Sequence, residues 1–239
     1  MIPMRQKIVS DCRWKCNYYR LSYNIAGQAK GGIQMKILIT GFEPFGGETI
    51  NPSWEAVLKL PDSFQTLKGE EAVLIKKKLP VSFDCCRQII QGYIKQEKPD
   101  CVVCVGQGGG RMAIEPELIA INTKDAQLAD NDGMEYHGEP VIKDGPDGRF
   151  TKLPVREMVV ACKTAGIPAN LSLSAGAYVC NCLMYHVLDL IEKEYLCMRG
   201  GFIHVPYECR QAAAQPKANK PSLPLATITE GLLECLKVL

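Results

Sequence analysis

Residues 35–51 read MKILITGFEPFGGETIN, and the fold turns on how they are understood. MKILIT is a short, almost uninterrupted apolar run, the pattern of a strand buried on both faces as in a parallel sheet. The glycines and prolines of GFEPFGGETIN break that run into a loop, and PSWEAVLKL (52–60) then carries helical spacing. Strand, loop and helix in this order open a layered α/β domain.

Outward from this stretch the alternation runs to the end of the chain. AVLIKKKLPVS (72–82) reads as a second strand, and DCCRQIIQGYIKQEKPD (84–100) as a helix stopped by Pro99. The apolar strand CVVCV (101–105) follows and runs into glycines. Residues 118–148 mix short apolar runs with Asp, Asn, Gly and Pro, and are expected to form hairpins or loops covering a site. VREMVVACKTAG (155–166) is a helix with a glycine stop, PANLSLS (168–174) a strand, and YVCNCLMYHVLDLIEKEY (178–195) a long helix. GFIHVP (201–206) is a strand and TITEGLLECLKVL (227–239) a closing helix. Ligands in such folds bind where strands end in loops. That rule selects the loops after Thr40, after Val105 and around 174–180, with the end of FIHV close by.

The chain has 239 residues, 46% hydrophobic and 23% charged, enough for one sizeable core. A net charge of +2 gives no nucleic-acid footprint. No run of eighteen apolar residues suggests a membrane span and no apolar core suggests a signal peptide, so a cytoplasmic location is expected. Residues 1–34 carry Arg5, Lys7, Arg13, Lys15, Arg20 and Lys30 against the single acid Asp11 and show no clear period. They read as an N-terminal extension, either a flexible arm or an upstream stretch misassigned as coding, with the catalytic domain spanning 35–239. An extra helix packed on the domain is the alternative. Twelve cysteines scattered through apolar segments of a long chain read as reduced thiols rather than a disulfide framework. Cys101 with Cys104 and Cys180 with Cys182 come nearest to a metal pattern. Neither has a matching second pair, so no metal site is expected.

One thiol stands out. In SLSAGAYVCN (172–181), Cys180 falls where a helix begins, and the positive end of a helix favours thiolate, the reactive form of cysteine. The small residues SAGA before it allow a sharp turn and leave N–H groups free for an oxyanion. A buried packing role is the competing account, since free cysteines are usually buried. The chain offers three histidines as base. His186, six residues along the same helix, lies roughly 120° around the axis and almost two turns away, too far to meet the thiol, so it reads as a surface or interhelix residue. His137, in the polar segment MEYHGEP, reads as a solvated loop residue. His204 sits at the ligand-binding end of GFIHVP, as either base or core histidine. Glu115 and Glu117 in GRMAIEPELIAIN could each orient an imidazole, and period-two spacing sends both to one face. The glycine run GQGGGR with Arg111 supports a weaker alternative, a nucleoside phosphorylase-like or nucleotide-binding protein. It lacks GxGxxG spacing, a P-loop lysine and an immediately following helix.

GFEPFGGETINPS, GQGGGRMAIEPELIAIN, SLSAGAYVCN and GFIHVP, in this order, resemble the pyroglutamyl peptidase I family from Met35 to about Tyr207. The spacings also fit: 63 residues from Glu117 to Cys180 and 24 from Cys180 to His204. The resemblance implies a single-domain, three-layer α/β/α sandwich with a mixed twisted sheet, and a cysteine exopeptidase that removes N-terminal pyroglutamate from peptides. It implies Cys180 as nucleophile, His204 as base and Glu117 as orienting carboxylate, with no metal or cofactor. Phe42 and Phe45 correspond to ring-binding phenylalanines, Gln107 to a glutamine near the lactam, and Asn51 to an asparagine bracing the pocket, while Tyr178 and Val179 flank the nucleophile. Family members commonly form dimers or tetramers. Pyroglutamate lacks a charged amine, so an apolar slot suits it, and a free N-terminal ammonium would cost several kcal/mol to bury there. Departures are Leu118 and Gln127 where the family often has arginine, Ala177 where it often has threonine, and ECRQAAAQP (208–216) in an unlike segment. The two missing arginines predict a site short of positive charge, in which binding without turnover is an alternative outcome.

Overall fold

The computed structural model describes residues 34–215 and 220–239. The expected extension at 1–34 therefore lies outside the described residues except for Gln34. Strand β1 (Met35–Phe42) occupies the centre of a six-stranded sheet, flanked by β3 (Glu71–Leu79) and β4 (Cys101–Gln107). Beyond β4 comes β10 (Arg199–Val205), and the edges are β2 (Ser63–Gln65) and β5 (Glu115–Pro116). The four inner strands are parallel and both edge pairings are antiparallel, so the sheet is mixed.

The near-continuous apolar runs follow from burial on both faces. Ile37, Ile39, Val103, Val105 and Ile203 turn to one side of the sheet, and Leu38, Val102, Cys104 and Phe202 to the other. Against the first face pack α1 (Pro52–Lys59), α3 (Val155–Thr164) and α6 (Leu225–Lys237). Against the second pack α2 (Cys86–Glu97) and α4 (Val179–Lys193). This is the expected three-layer α/β/α sandwich. α2 ends at Glu97, two residues before Pro99, with Lys98 in the left-handed region at φ 50°, and Gly166 at φ 77° follows α3.

Two expectations are corrected. Residues 168–174 form no continuous strand; they touch the 114–118 segment through bridges at Ala169 and Ser172. Pro116 has no N–H to donate, and Glu115 and Pro116 are already paired with β10 on their other side. Residues 118–150 form two short hairpin-like pairs, β6 (Ile119–Ile121) with β9 (Gly148–Phe150) and β7 (Lys124–Asp125) with β8 (His137–Glu139). They lie over the start of α4, where the Asp125 N–H donates to the Ala177 carbonyl. Nine cysteines of the described residues are free thiols, while Cys197 departs from the expected reduced state and is disulfide-bonded. No helix among the described residues is long and apolar enough to cross a membrane.

Candidate active site

The ends of β1, β4 and β10 and the start of α4 converge at one place. Cys180 is the second residue of α4, after Val179. The helix is preceded by Tyr178 in extended backbone with no side-chain cap, and by Gly176 at φ 78°. The turn expected from SAGA is present, and no side chain caps the first-turn N–H groups. Asn181, fully buried, fixes the helix start: its amide accepts from the Ile121 N–H and donates to the carbonyls of Ile121 and Thr123.

His204 stands opposite Gly106 in the parallel pairing of β10 with β4. The Cys180 sulfur packs over that glycine, so close that a methyl group added there would lie 2.8 Å from Sγ. Cys180 and His204 thereby both adjoin one backbone position that has no side chain. His204 Nδ1 and Glu117 Oε1 are 2.6 Å apart, with both residues buried. Of the two glutamates that spacing left together, only Glu117 reaches the imidazole. His137 is largely exposed, as expected. His186 is buried between α2 and α4, which settles the surface-or-interhelix alternative for the interhelix position.

Protonation of the pair differs from the helix-dipole expectation. Burial pushes the Cys180 thiol up to about 12, the Glu117 carboxylate adds to the rise, and Arg111 opposes it. Although Cys180 as a residue is only partly buried, its sulfur is packed against backbone, which is why desolvation prevails over the dipole. Burial also lowers His204, against the raising influence of its hydrogen bond to Glu117. Near neutral pH the resting pair is thiol and neutral imidazole.

The expected shortage of positive charge is corrected by Arg111. Its guanidinium pairs with Glu115, reaches Glu117 Oε1 at 2.9 Å and donates to the Ser174 carbonyl at 3.1 Å. It therefore ties the carboxylate that meets His204 to the loop before Cys180. Gln127 is exposed and Leu118 packs against the core, so neither substitutes for it. In the sequence, Arg111 supports only the weaker phosphate-binding alternative. Committed to two carboxylates, it is a poor phosphate ligand, and the phosphorylase-like reading loses its main support.

Phe42, Phe45, Asn51, Gln107, Tyr178, Val179 and Cys180, together with Val81, line one small cavity. All six expected substrate-contacting residues are thus brought together with the nucleophile candidate. Phe42 is also a core residue, with its ring centroid 6.4 Å from that of Phe202, and Phe45 lies 5.9 Å from Tyr178. Asn51 caps α1: its Oδ1 accepts from the N–H and hydroxyl of Ser53 while its amide donates to the Glu43 carbonyl. The larger cleft lined by Leu67, Arg156 and Val160 contains neither thiol nor imidazole.

Gln211, in α5 (Cys209–Ala214), was hidden in the unlike segment ECRQAAAQP. The Glu208 backbone N–H donates to Gln211 Oε1 at 3.4 Å, which leaves the Gln211 amide nitrogen to donate to Gln107 Oε1 at 2.9 Å. A backbone donor cannot be reversed, so this chain of bonds orients both amides. The Gln107 –NH2 group is left without a protein partner, at a residue lining the cavity.

The pyroglutamyl peptidase family profile matches residues 35–239. The chain belongs to the pyroglutamyl peptidase family. Among its relatives, the pyrrolidone-carboxylate peptidase of Thermosipho africanus is 47% identical over 205 residues, covering 86% of this chain and 97% of the relative. That of Bacillus subtilis is 44% identical, covering 84% and 90%. The crystal structure of Bacillus amyloliquefaciens pyroglutamyl peptidase I superposes with a TM-score of 0.79 at 42% identity, covering 85% of this chain and 95% of that one.

Proposed function

We propose that this pyroglutamyl peptidase family member hydrolyses the peptide bond after an N-terminal pyroglutamyl residue, with Cys180, His204 and Glu117 as its triad. The observation carrying this reading is the buried Glu117–His204 contact beside a small, largely apolar cavity lined by Cys180. In the proposed reaction the lactam ring enters between Phe42, Phe45 and Tyr178, with the Gln107 –NH2 group donating to a ring oxygen. The Cys180 sulfur attacks the scissile carbonyl while its proton passes to His204, and Glu117 steadies the imidazolium. The uncapped N–H groups of the first turn of α4 stabilise the oxyanion. Collapse breaks the C–N bond, the proton leaves on the departing amine, and a pyroglutamyl thioester remains. Water, deprotonated by His204, cleaves the thioester to free pyroglutamate and restore the thiol. The cavity excludes peptides starting with glutamine or glutamate because their ammonium group would be desolvated without a partner carboxylate lining it.

The test is release of a fluorescent amine from a pyroglutamyl coumarin amide under reducing conditions. Turnover should be blocked by thiol alkylation and abolished by Cys180→Ala. A folded protein that binds pyroglutamate but shows no turnover would reduce the reading to binding alone.

A further inference from the structure

The sequence offered no second pair to complete a metal site around Cys182, but the fold supplies one from another helix. Cys86 on α2 and Cys182 and His186 on α4 bring two sulfurs and a ring nitrogen within 4.8 Å of one another, and all three residues are buried. The two sulfurs are 3.8 Å apart, too far for a disulfide. Two thiolates bound tetrahedrally at about 2.3 Å to one zinc ion would stand about 3.8 Å apart. The Phe83 carbonyl oxygen lies 3.4 Å from the Cys86 sulfur and 3.8 Å from the Cys182 sulfur. An oxygen ligand at about 2.1 Å in the same tetrahedron would stand about 3.6 Å from each sulfur. His186 is 6% exposed, and its Nδ1 has no hydrogen-bond partner. Such an orphaned buried nitrogen costs stability unless something occupies the site.

We propose that Cys86, Cys182 and His186, with the Phe83 carbonyl, form a structural site for one zinc ion that clamps α2 to α4 behind the nucleophile. Binding displaces the two thiol protons to solvent, and two thiolates neutralise the divalent charge, so the buried site carries no net charge. Because the site is enclosed, the ion enters as the domain folds. The clamp sits two residues beyond Cys180 and has no part in the bond-breaking steps.

The experiment uses the full chain carrying Cys180→Ser, so that this thiol takes no metal. Protein is refolded with Zn2+ or Co2+ and freed of loose metal by gel filtration. The expected result is one equivalent of bound zinc, a near-ultraviolet thiolate-to-cobalt band with visible bands of tetrahedral Co2+, and a higher Tm than metal-free protein. Cys182→Ala and His186→Ala should each lose the bands and the metal-dependent rise in Tm. Should a variant fail to fold, Cys86→Ser supplies the same comparison from the other helix. The proposal is overturned if folded protein holds no metal, if cobalt spectra are unchanged in these variants, or if a mass 2 Da lower with a Cys86–Cys182 crosslink shows a disulfide instead. These readouts do not depend on peptidase activity.

Discussion

Gly106→Ala is the sharpest test of where the nucleophile sits. The added methyl would lie 2.8 Å from the Cys180 sulfur, 2.7 Å from Phe202 Cζ and 3.0 Å from Phe202 Cε1. Comfortable separations are about 3.5–4.0 Å, so the sulfur and the ring must each retreat by roughly 1 Å or the strands must part. Overpacking of this kind costs about 1–3 kcal/mol of stability. Displacing a reacting atom by about 1 Å costs on the order of 100-fold in rate. The variant should therefore fold with a lower Tm and show kcat/KM on the pyroglutamyl coumarin amide reduced about 100-fold, a loss of about 2.7 kcal/mol in transition-state stabilisation. Adding Phe202→Leu removes the ring from the clash without moving the sulfur back. The double variant should regain Tm while kcat/KM stays low. A folded Gly106→Ala protein with full kcat/KM would refute the placement of Cys180 against β4, and with it the approach of the thiol to His204.

Other consequences are open to measurement. Because burial lowers His204, its neutral base form persists below pH 6.5, the ordinary histidine value, and the acid limb of kcat/KM should have its midpoint below that. Glu117→Gln removes the group that raises His204, so it should shift that limb further down and lower kcat about 100-fold or more. With Cys180 pushed up to about 12, alkylation by iodoacetamide should keep accelerating past pH 9 rather than level off near neutrality; a plateau near pH 7 would show a preformed thiolate. Arg111→Gln should cost about 1.5–3 kcal/mol of transition-state stabilisation through loss of its charged contact to Glu117, seen in kcat, with partial recovery in Arg111→Lys. Gln211→Glu offers Gln107 an acceptor where it now meets a donor. The Gln107 amide should turn over and present its oxygen to the lactam, raising KM about tenfold or more with little change in kcat, by loss of about 1.4 kcal/mol or more of binding. Equal KM in Gln211→Glu and the parent would show that the amide is not oriented from α5.

Much of this protein is determined by the sequence alone, because the signals are local. Apolar runs such as MKILIT and CVVCV specify strands covered on both faces, glycine and Pro99 punctuate the helices, and the order of elements implies the layered sandwich. Cys180 was legible for the same reason, as a thiol at a helix start after small residues. Spacing left Glu115 and Glu117 equivalent, because alternation in a strand does not say which carboxylate meets an imidazole from a strand 87 residues away. The register of β5 on β10 sets Glu115 opposite His204, and only the side-chain geometry decides it: Glu115 is paired with Arg111, while Glu117 reaches the imidazole. The proton state of Cys180 was likewise decided in three dimensions: the helix terminus is local, whereas desolvation depends on packing against Gly106 in β4, and the added negative charge comes from Glu117 just after β5. The roles of Arg111 and Gln211 were not legible in the sequence, since their partners lie on segments distant in sequence or across the fold. Cys86 and His186 show the same limit, for helix periodicity pairs Cys182 with His186 but only the packing of α2 on α4 brings Cys86 to them. Backbone pattern is written in neighbouring residues, whereas charge, desolvation and ligand geometry are sums over neighbours in space.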